Sequence, residues 1–432
     1  MTIKLDSSFT DYDKMMKRFK FKKFNNIGKE EIAAVNKVVR SGVLSKYLGE
    51  RKKDFLGGKF VNIFEKRWSD YFKVKYSAAV NSWSSGLVCC VGAVDIEPGD
   101  EIILPSITMT ACAAAILTWN AIPVFADVDP RTYSISIKSI KKNLSKKTKA
   151  IMAVDIFGLS CDIENILRIA KKYNLKVITD SAQAVGSRYK KRFTGTLAHV
   201  GGFSLNYHKH IHTGEGGICV TNDKAIYEKI IHIRNHGEAV TRSEDINKLI
   251  NNIGFNFRLG EIESAIGIQQ LKKLKKIISN IQKKAKFLDK RLNKLKGISI
   301  PFIPKNQTHS YYVYPINIQD RLLKIYSRKK IVNELITRGV PVRVGCANLH
   351  LQKIFQKKIA YGKRGFPWKG LNNVKSKVSY SKGICPIAEK LNEKTLMMIL
   401  MTEYDFSNQD LNNICNSFEK VWNKLDINNK LA

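Results

Sequence analysis

The sequence predicts an α/β fold: a mostly parallel central sheet with helices on both faces, followed by a smaller C-terminal α+β domain. Three observations carry this expectation. Strand-like and helix-like segments alternate from Tyr76 to Asp180, the order a parallel sheet requires because its crossovers are helices. Polar residues suited to a ligand, Asn81 to Ser85 and Asp180, stand just past apolar segments. Open α/β sheets bind ligands there, beyond the carboxyl ends of their strands. From about residue 284 the alternation gives way to another pattern. The chain therefore divides into a basic arm (1–24), a large domain (25–283) and a small domain (284–432).

In chain order, Lys29 to Arg40 places Ile32, Val35, Val38 and Val39 on one helical face and stops at Ser41-Gly42. Residues 46–60 are polar, carry three glycines and read as a loop. Phe64 to Phe72 is a second amphipathic helix, and Tyr76 to Val80 a short strand. That strand opens through Asn81-Ser82-Trp83-Ser84-Ser85-Gly86 into an apolar helix from Leu87 to Val94. Glu101 to Leu104, Ile122 to Val128, Ala150 to Asp155 and Lys176 to Asp180 are the following strands. Thr108 to Trp119 and Ile163 to Tyr173 are helices among them, with one more after Val128. Val200 to Leu205 and Ile218 to Thr221 are strand-like, and Lys224 to Arg234 is helical, ending at Asn235-His236-Gly237. After Gly254 to Arg258 a long helix carries Ile262, Ile266, Leu271, Leu274, Ile278 and Ile281 at helical spacing. The small domain contains a strand at Tyr311 to Ile316, helices, a polar stretch at 351–380 and a final helix.

Composition narrows the function classes. The hydrophobic fraction of 44% is that of an ordinary globular protein. The longest apolar stretch, around Ala111 to Leu117, falls short of the roughly 20 residues a membrane helix needs. The first residues lack the apolar core of a secretory signal, so the expected location is the cytoplasm and no membrane partner is expected. Eight cysteines are scattered, with only Cys89-Cys90 close, and read as reduced structural thiols. His208, His210 and His212 cluster without a carboxylate or cysteine in register, so no metal site is expected. The net charge of +37 suits a polyanion or an anionic small substrate. Because the basic residues are dispersed rather than interleaved with aromatics on one stripe, a phosphate-bearing substrate is expected and nucleic acid is not.

Within this frame three places carry candidate chemistry. Lys209 lies five residues after Ser204 and five before Gly214-Glu215-Gly216-Gly217, between two apolar strand-like segments. A lysine desolvated by such walls loses proton affinity and becomes a nucleophile toward carbonyl carbon. Read alone, the stretch also fits a hairpin turn that carries one more cation. The Ser82 to Ser85 loop, entering a helix, offers hydroxyls and free N–H groups to an anion, as well as an ordinary N-cap. Asp180, at a strand end, can hold the proton on a cationic ring nitrogen or cap the helix after it.

Taken together, the motifs resemble the DegT/DnrJ/EryC1/StrS family, the pyridoxal-phosphate-dependent sugar aminotransferases of fold type I. The likeness runs from about residue 24 to the C-terminus. It rests on Ser204, Lys209 and Gly214 to Gly217 in their spacing, and on Asp180-x-Ala182-Gln183-x-x-Gly186. Pro98-Gly-Asp-Glu101, Pro105-Ser-x-Thr108, Asn235-His-Gly237 and Asn256-Phe-Arg258 also match. The resemblance implies that Lys209 holds the cofactor covalently and shuttles the proton between the substrate carbon and the cofactor's C4′. Asp180 would keep the pyridine nitrogen protonated, and Gln183 would bond the ring hydroxyl. Ser84, the backbone at Ser85, and Ser204 would hold the phosphate. Asn256 would reach into the neighbouring subunit's phosphate site, which implies an obligate homodimer. The activity implied is amino transfer, from glutamate, onto a keto sugar carried on a nucleotide.

Several positions depart from the family's pattern. Trp83-Ser84 stands where Gly-Thr is common, and the indole is expected in the substrate cleft. Met109 replaces an aromatic that stacks on the cofactor ring, giving a softer thioether contact. Val185 replaces a common histidine, and segments 46–60 and 357–380 look longer than usual. Two other readings follow from the same residues. Related dehydratases carry histidine in place of the lysine, and His208 and His210 flank Lys209; counting from Ser204 and from Gly214 meets at Lys209, which favours amino transfer. A non-catalytic cofactor-binding regulator is disfavoured by intact Lys209 and Asp180.

Overall fold

The computed structural model describes residues 16, 19–49, 53–237, 251, 253–370 and 376–431. Its centre is a seven-stranded sheet of β1 (Tyr76–Val80), β2 (Glu101–Pro105), β3 (Ile122–Ala126), β4 (Thr148–Val154), β5 (Lys176–Asp180), β8 (Val200–Ser204) and β9 (Gly217–Thr221). The spatial order is β1-β9-β8-β5-β4-β2-β3. β9 pairs antiparallel with both β1 and β8, while the other pairings are parallel. Of these seven strands, β9 alone therefore runs against the rest, and the mostly parallel α/β fold is the one expected. The carboxyl ends of β1, β2, β4, β5 and β8 consequently share one edge.

Two of the first three helices start earlier than expected. Helix α1 (Lys29–Ser41) ends at Gly42, whose φ of 68° is the left-handed cap conformation glycine adopts freely. It buries Glu31, Ala34 and Val38, whereas Ile32 and Val39 are 59% and 55% exposed, contrary to the face expected. The reason lies in the contact made: Ala34 and Val38 pack on Ala265, and Glu31 receives Gln270 Nε2 at 2.9 Å and Lys273 Nζ at 2.6 Å. Helix α2 spans Lys59–Phe72, starting five residues before the expected Phe64. Its first turn is capped by the carboxylate of Glu261, which accepts from Phe60 N at 2.7 Å and Val61 N at 3.3 Å. The expected loop at 46–60 accordingly contains a 3₁₀ turn at Lys53–Leu56 and the start of α2, with 50–52 outside the described residues. Helix α3 (Trp83–Ala93) also begins early, because Ser82 Oγ accepts from Ser85 N at 3.1 Å and caps it.

Helices α4 (Thr110–Thr118), α5 (Ile137–Lys142), α6 (Ile163–Lys172) and α7 (Lys224–Arg234) follow. A small hairpin of β6 (Arg188–Tyr189) and β7 (Arg192–Phe193) has no counterpart in the sequence reading. Helix α8 (Glu261–Leu292) is 32 residues long and runs through the expected domain boundary at 283/284. Its N-terminal part packs on α1 and α2, and the helix also meets the final long helix of the small lobe. That lobe holds β10 (Ile298–Ser299), β11 (Val313–Ile318), β12 (Val342–Val344) and β13 (Leu396–Leu400), all antiparallel in the order β10-β11-β13-β12. Helices α9 (Arg328–Thr337) and α10 (Asn408–Lys424) complete it.

Two further segments tie the lobes together. Of the N-terminal arm, the described end docks on the small lobe: Phe24 N donates to Glu403 O at 3.1 Å, and Phe21 meets the rings of Tyr404 and Phe406. The polar stretch at 351–380 is anchored by aromatics, with Trp368 Nε1 donating to Tyr380 Oη and Tyr380 Oη to Pro123 O, both at 2.7 Å. Residues 371–375 lie outside the described residues. All eight cysteines are buried free thiols. Among the described residues no helix is long and apolar enough to cross a membrane.

Candidate active site

The shared strand edge forms a cleft of about 110 Å³ lined by Ser82, Trp83, Ser84, Thr108, Met109, Asp180, Gln183, Ser204, Asn206, His208, Lys209 and Glu215. A larger groove of about 700 Å³ lies elsewhere, between the β6–β7 hairpin and α8. It holds surface cations over Phe72 and Phe193 and no paired amine and carboxylate, so the chemistry sits in the smaller cleft.

Lys209 is 6% exposed, and its Nζ lies 4.4 Å from the centroid of the Tyr312 ring. Burial pulls its pKa down to about 8, with the Asp180 carboxylate acting the other way. The loop that presents it is closed by its own backbone and by the glycine turn. Lys209 N donates to Asn206 O, Thr213 N to Leu205 O and Leu205 N to Gly216 O, each at 2.9 Å. Glu215 Oε1 receives Asn206 Nδ2 at 2.7 Å. Gly216 has φ 158°, and a Cβ there would stand 2.5 Å from Thr213 Oγ1, so the turn needs glycine. His210, buried beside the lysine, bonds Ser310 O at 2.9 Å, and burial holds its pKa down to about 4. His208 is held down to about 3 by burial and by Lys209. Among the described residues no group of three histidine, cysteine or carboxylate side chains converges.

Asp180 terminates β5 at the floor of the cleft. Its Oδ1 accepts from Trp83 Nε1 at 2.7 Å and Ala182 N at 3.0 Å, and its Oδ2 from Cys112 Sγ at 3.0 Å. The Trp83 indole, 5% exposed, lines the cleft as expected, with its polar end committed to Asp180. Gln183 Oε1 accepts from Phe157 N at 2.8 Å, which leaves the amide NH₂ for the cleft.

At the other end, Ser84 is exposed in the first turn of α3, and Ser82 and Ser204 stand beside it in the lining. The first-turn N–H groups of Trp83 and Ser84 have no intrahelical acceptor and carry the positive end of the helix dipole. Ser85 is not in the lining; its N–H serves the Ser82 cap, and its hydroxyl lies 2.9 Å from Ser82 Oγ. Met109 is 44% exposed at the edge of the cleft. Asn256 is also exposed and stands outside the lining of its own chain's cleft, with its carbonyl receiving Asn81 Nδ2 at 3.3 Å. Val185 is buried in the core. The sequence reading gave no site role to Cys112, Asn206 or Tyr312, and it quoted Glu215 only as part of the glycine turn. None of the first three lies in a motif that announces it.

The Lys209 amine, the Asp180 carboxylate and an anion-receptive helix N-terminus thus border a single cleft, a donor set that fits pyridoxal phosphate. Residues 25–369 match the model of the DegT/DnrJ/EryC1/StrS aminotransferase family. The chain belongs to this family. It is similar to a GDP-perosamine synthase from Escherichia coli O157:H7, 33% identical over 339 residues that cover 78% of this chain and 90% of that one. Among solved structures it is similar to an aminotransferase from Psychrobacter cryohalolentis, with a TM-score of 0.78, 27% identity, and coverage of 94% of this chain and 100% of that one. A GDP-4-keto-6-deoxy-D-mannose-3-dehydratase from E. coli with bound hydrated PLP shares the fold at a TM-score of 0.76 and 22% identity, covering 92% and 99%. As a DegT/DnrJ/EryC1/StrS member of fold type I, the protein is a pyridoxal-phosphate-dependent aminotransferase.

Proposed function

We propose that the protein moves an amino group from glutamate onto a keto group of a nucleotide-linked deoxy sugar, in the cytoplasm, for surface polysaccharide or other glycoconjugate synthesis. The observation that carries the reading is Lys209: a buried amine with its pKa near 8, sharing one cleft with Asp180. When bound, pyridoxal phosphate supplies the electron sink, and the protein supplies position and charge. In this reading Lys209 holds the cofactor and moves a proton at Nζ. Asp180 keeps the ring nitrogen protonated, Gln183 Nε2 donates to the ring hydroxyl, and Met109 lies against the ring. Ser84 and Ser204 hold the phosphate, with Ser82 and the first turn of α3; the Ser85 backbone is left to the helix cap. Asn256 serves the partner subunit's site in a homodimer.

Support for the sugar nucleotide comes from the GDP-linked product in the name of the E. coli relative and from the net charge of +37, which favours a diphosphate substrate. Support for the dimer comes from Asn256, exposed and outside its own cleft, and from Ile32, Val39, Val43, Leu44 and Leu48, apolar side chains left exposed along α1 and the segment after it. Lys209, not histidine, at the counted position favours amino transfer over dehydration.

The test is a purified protein loaded with pyridoxal phosphate and offered glutamate with keto sugars on different nucleotides. Expected are an absorption band near the visible–ultraviolet boundary that disappears in Lys209→Ala, and glutamate-dependent appearance of an amino sugar. Keto sugar consumed with loss of a hydroxyl and no nitrogen gained would overturn the transfer reading.

A further inference from the structure

Trp83 occupies a slot that the surrounding glycines leave open. A Cβ on Gly86 would lie 2.6 Å from Trp83 Cε3, and one on Gly202 would lie 2.2 Å from Trp83 Cζ3. The indole therefore lies flat against α3's own next turn and against β8, and this orientation carries Nε1 to Asp180 Oδ1. The other donors to that carboxylate are equally fixed. Ala182 N is backbone, and Cys112 is fully buried in the first turn of α4, 3.1 Å from Thr108 Oγ1. Burial and the adjacent carboxylate push the Cys112 thiol well above its usual range, so the sulfur keeps its proton and donates.

A carboxylate presents about four acceptor positions. Trp83 and Ala182 fill both of those on Oδ1, and Cys112 fills one on Oδ2, so a single acceptor position remains, on Oδ2. All three of these partners donate to the carboxylate. Trp83 also begins α3, whose N-terminus borders the same cleft. One rigid side chain therefore ties the anion-receptive end of the site to its carboxylate end.

We propose that Trp83 is a positioning residue for the ring-nitrogen contact: its indole N–H, with Cys112, pins Asp180 so that one lone pair of Oδ2 is left for the pyridinium N–H. This rests on the proposed role of Asp180.

Stripped protein is titrated with pyridoxal phosphate and with the analogue in which a CH replaces the ring nitrogen, and dissociation constants are compared. Wild type should prefer the nitrogen compound. Trp83→Phe, which removes the N–H, should cut that preference by roughly tenfold, the scale of one hydrogen bond to a charged group. Replacement of Trp83 by 3-benzothienylalanine, which keeps the indole's shape with sulfur for N–H, should do the same and decides the matter if Trp83→Phe does not fold. Equal weakening of both compounds would mean that Trp83 only fills space, and an unchanged preference would mean that its N–H is idle; either result overturns the proposal. Asp180→Asn separates the two readings. A preference that survives in Asp180→Asn removes the role of Asp180 itself, and Trp83's with it. A preference lost there but untouched by the Trp83 variants leaves Asp180 standing alone.

Discussion

With a pKa of about 8, Lys209 is mostly protonated at neutral pH and mostly free amine one unit above that value. Only the free amine attacks a carbonyl. The rate at which stripped protein captures pyridoxal phosphate should therefore rise about tenfold per pH unit below about 8 and level off above it. Asp180 opposes the burial effect by holding the proton on. Asp180→Asn removes that charge, so the midpoint should move to lower pH, read by stopped-flow absorbance across a pH series. A midpoint that stays in place would show that the two groups do not share a field. On the proposed role of Asp180, turnover should fall in the same variant, because the ring would no longer be held cationic. That both residues border one cleft was legible in the sequence because each lies in a short motif whose spacing is local. The partners of Asp180 were not: Trp83 and Cys112 come from other elements, 97 and 68 residues away, and only the sheet order brings them to one carboxylate.

A local cap made one helix boundary legible, although the equally local Ser82 cap did not reveal that α3 starts at Trp83. Helix α7 begins after Asp223, whose carboxylate accepts from Ala225 N at 2.8 Å, and it spans the Lys224–Arg234 expected. The start of α2 was hidden because Glu261, two hundred positions away, supplies the cap. The β6–β7 hairpin was hidden because Lys190 and Lys191 take its turn with φ of 46° and 67°, where asparagine or glycine would have announced it. The Glu261 cap makes a prediction at this scale. Its carboxylate bonds the first turn of α2 while standing in the first turn of α8, so Glu261→Ala leaves buried N–H groups without an acceptor. A loss of about 1–3 kcal/mol is expected, measured as an earlier transition in urea or a lower Tm. Glu261→Gln, which keeps an acceptor oxygen, should recover part of it. An unchanged transition in Glu261→Ala would mean that water replaces the cap.

At the scale of the whole molecule, helix α8 joins the lobes as one rod, which is why a boundary drawn from a change of sequence pattern fell inside it. The same scale decides whether a site is complete within one chain. Lys209 lines its own cleft, whereas Asn256 faces outward beside the end of β1. If Asn256 serves the partner's site, Lys209→Ala and Asn256→Ala damage opposite halves of a composite site. Each variant alone should be weak or inactive. Subunits of the two, mixed and allowed to exchange, would form heterodimers in which one site has lost both residues and the other keeps both. Statistical pairing then restores roughly a quarter of the wild-type sites. That recovery, together with the visible absorption of bound cofactor, is the expected result of mixing. If Asn256 acts within its own chain, no pairing creates an intact site and activity stays at the sum of the two variants. Protein that is monomeric and fully active would remove the shared site altogether.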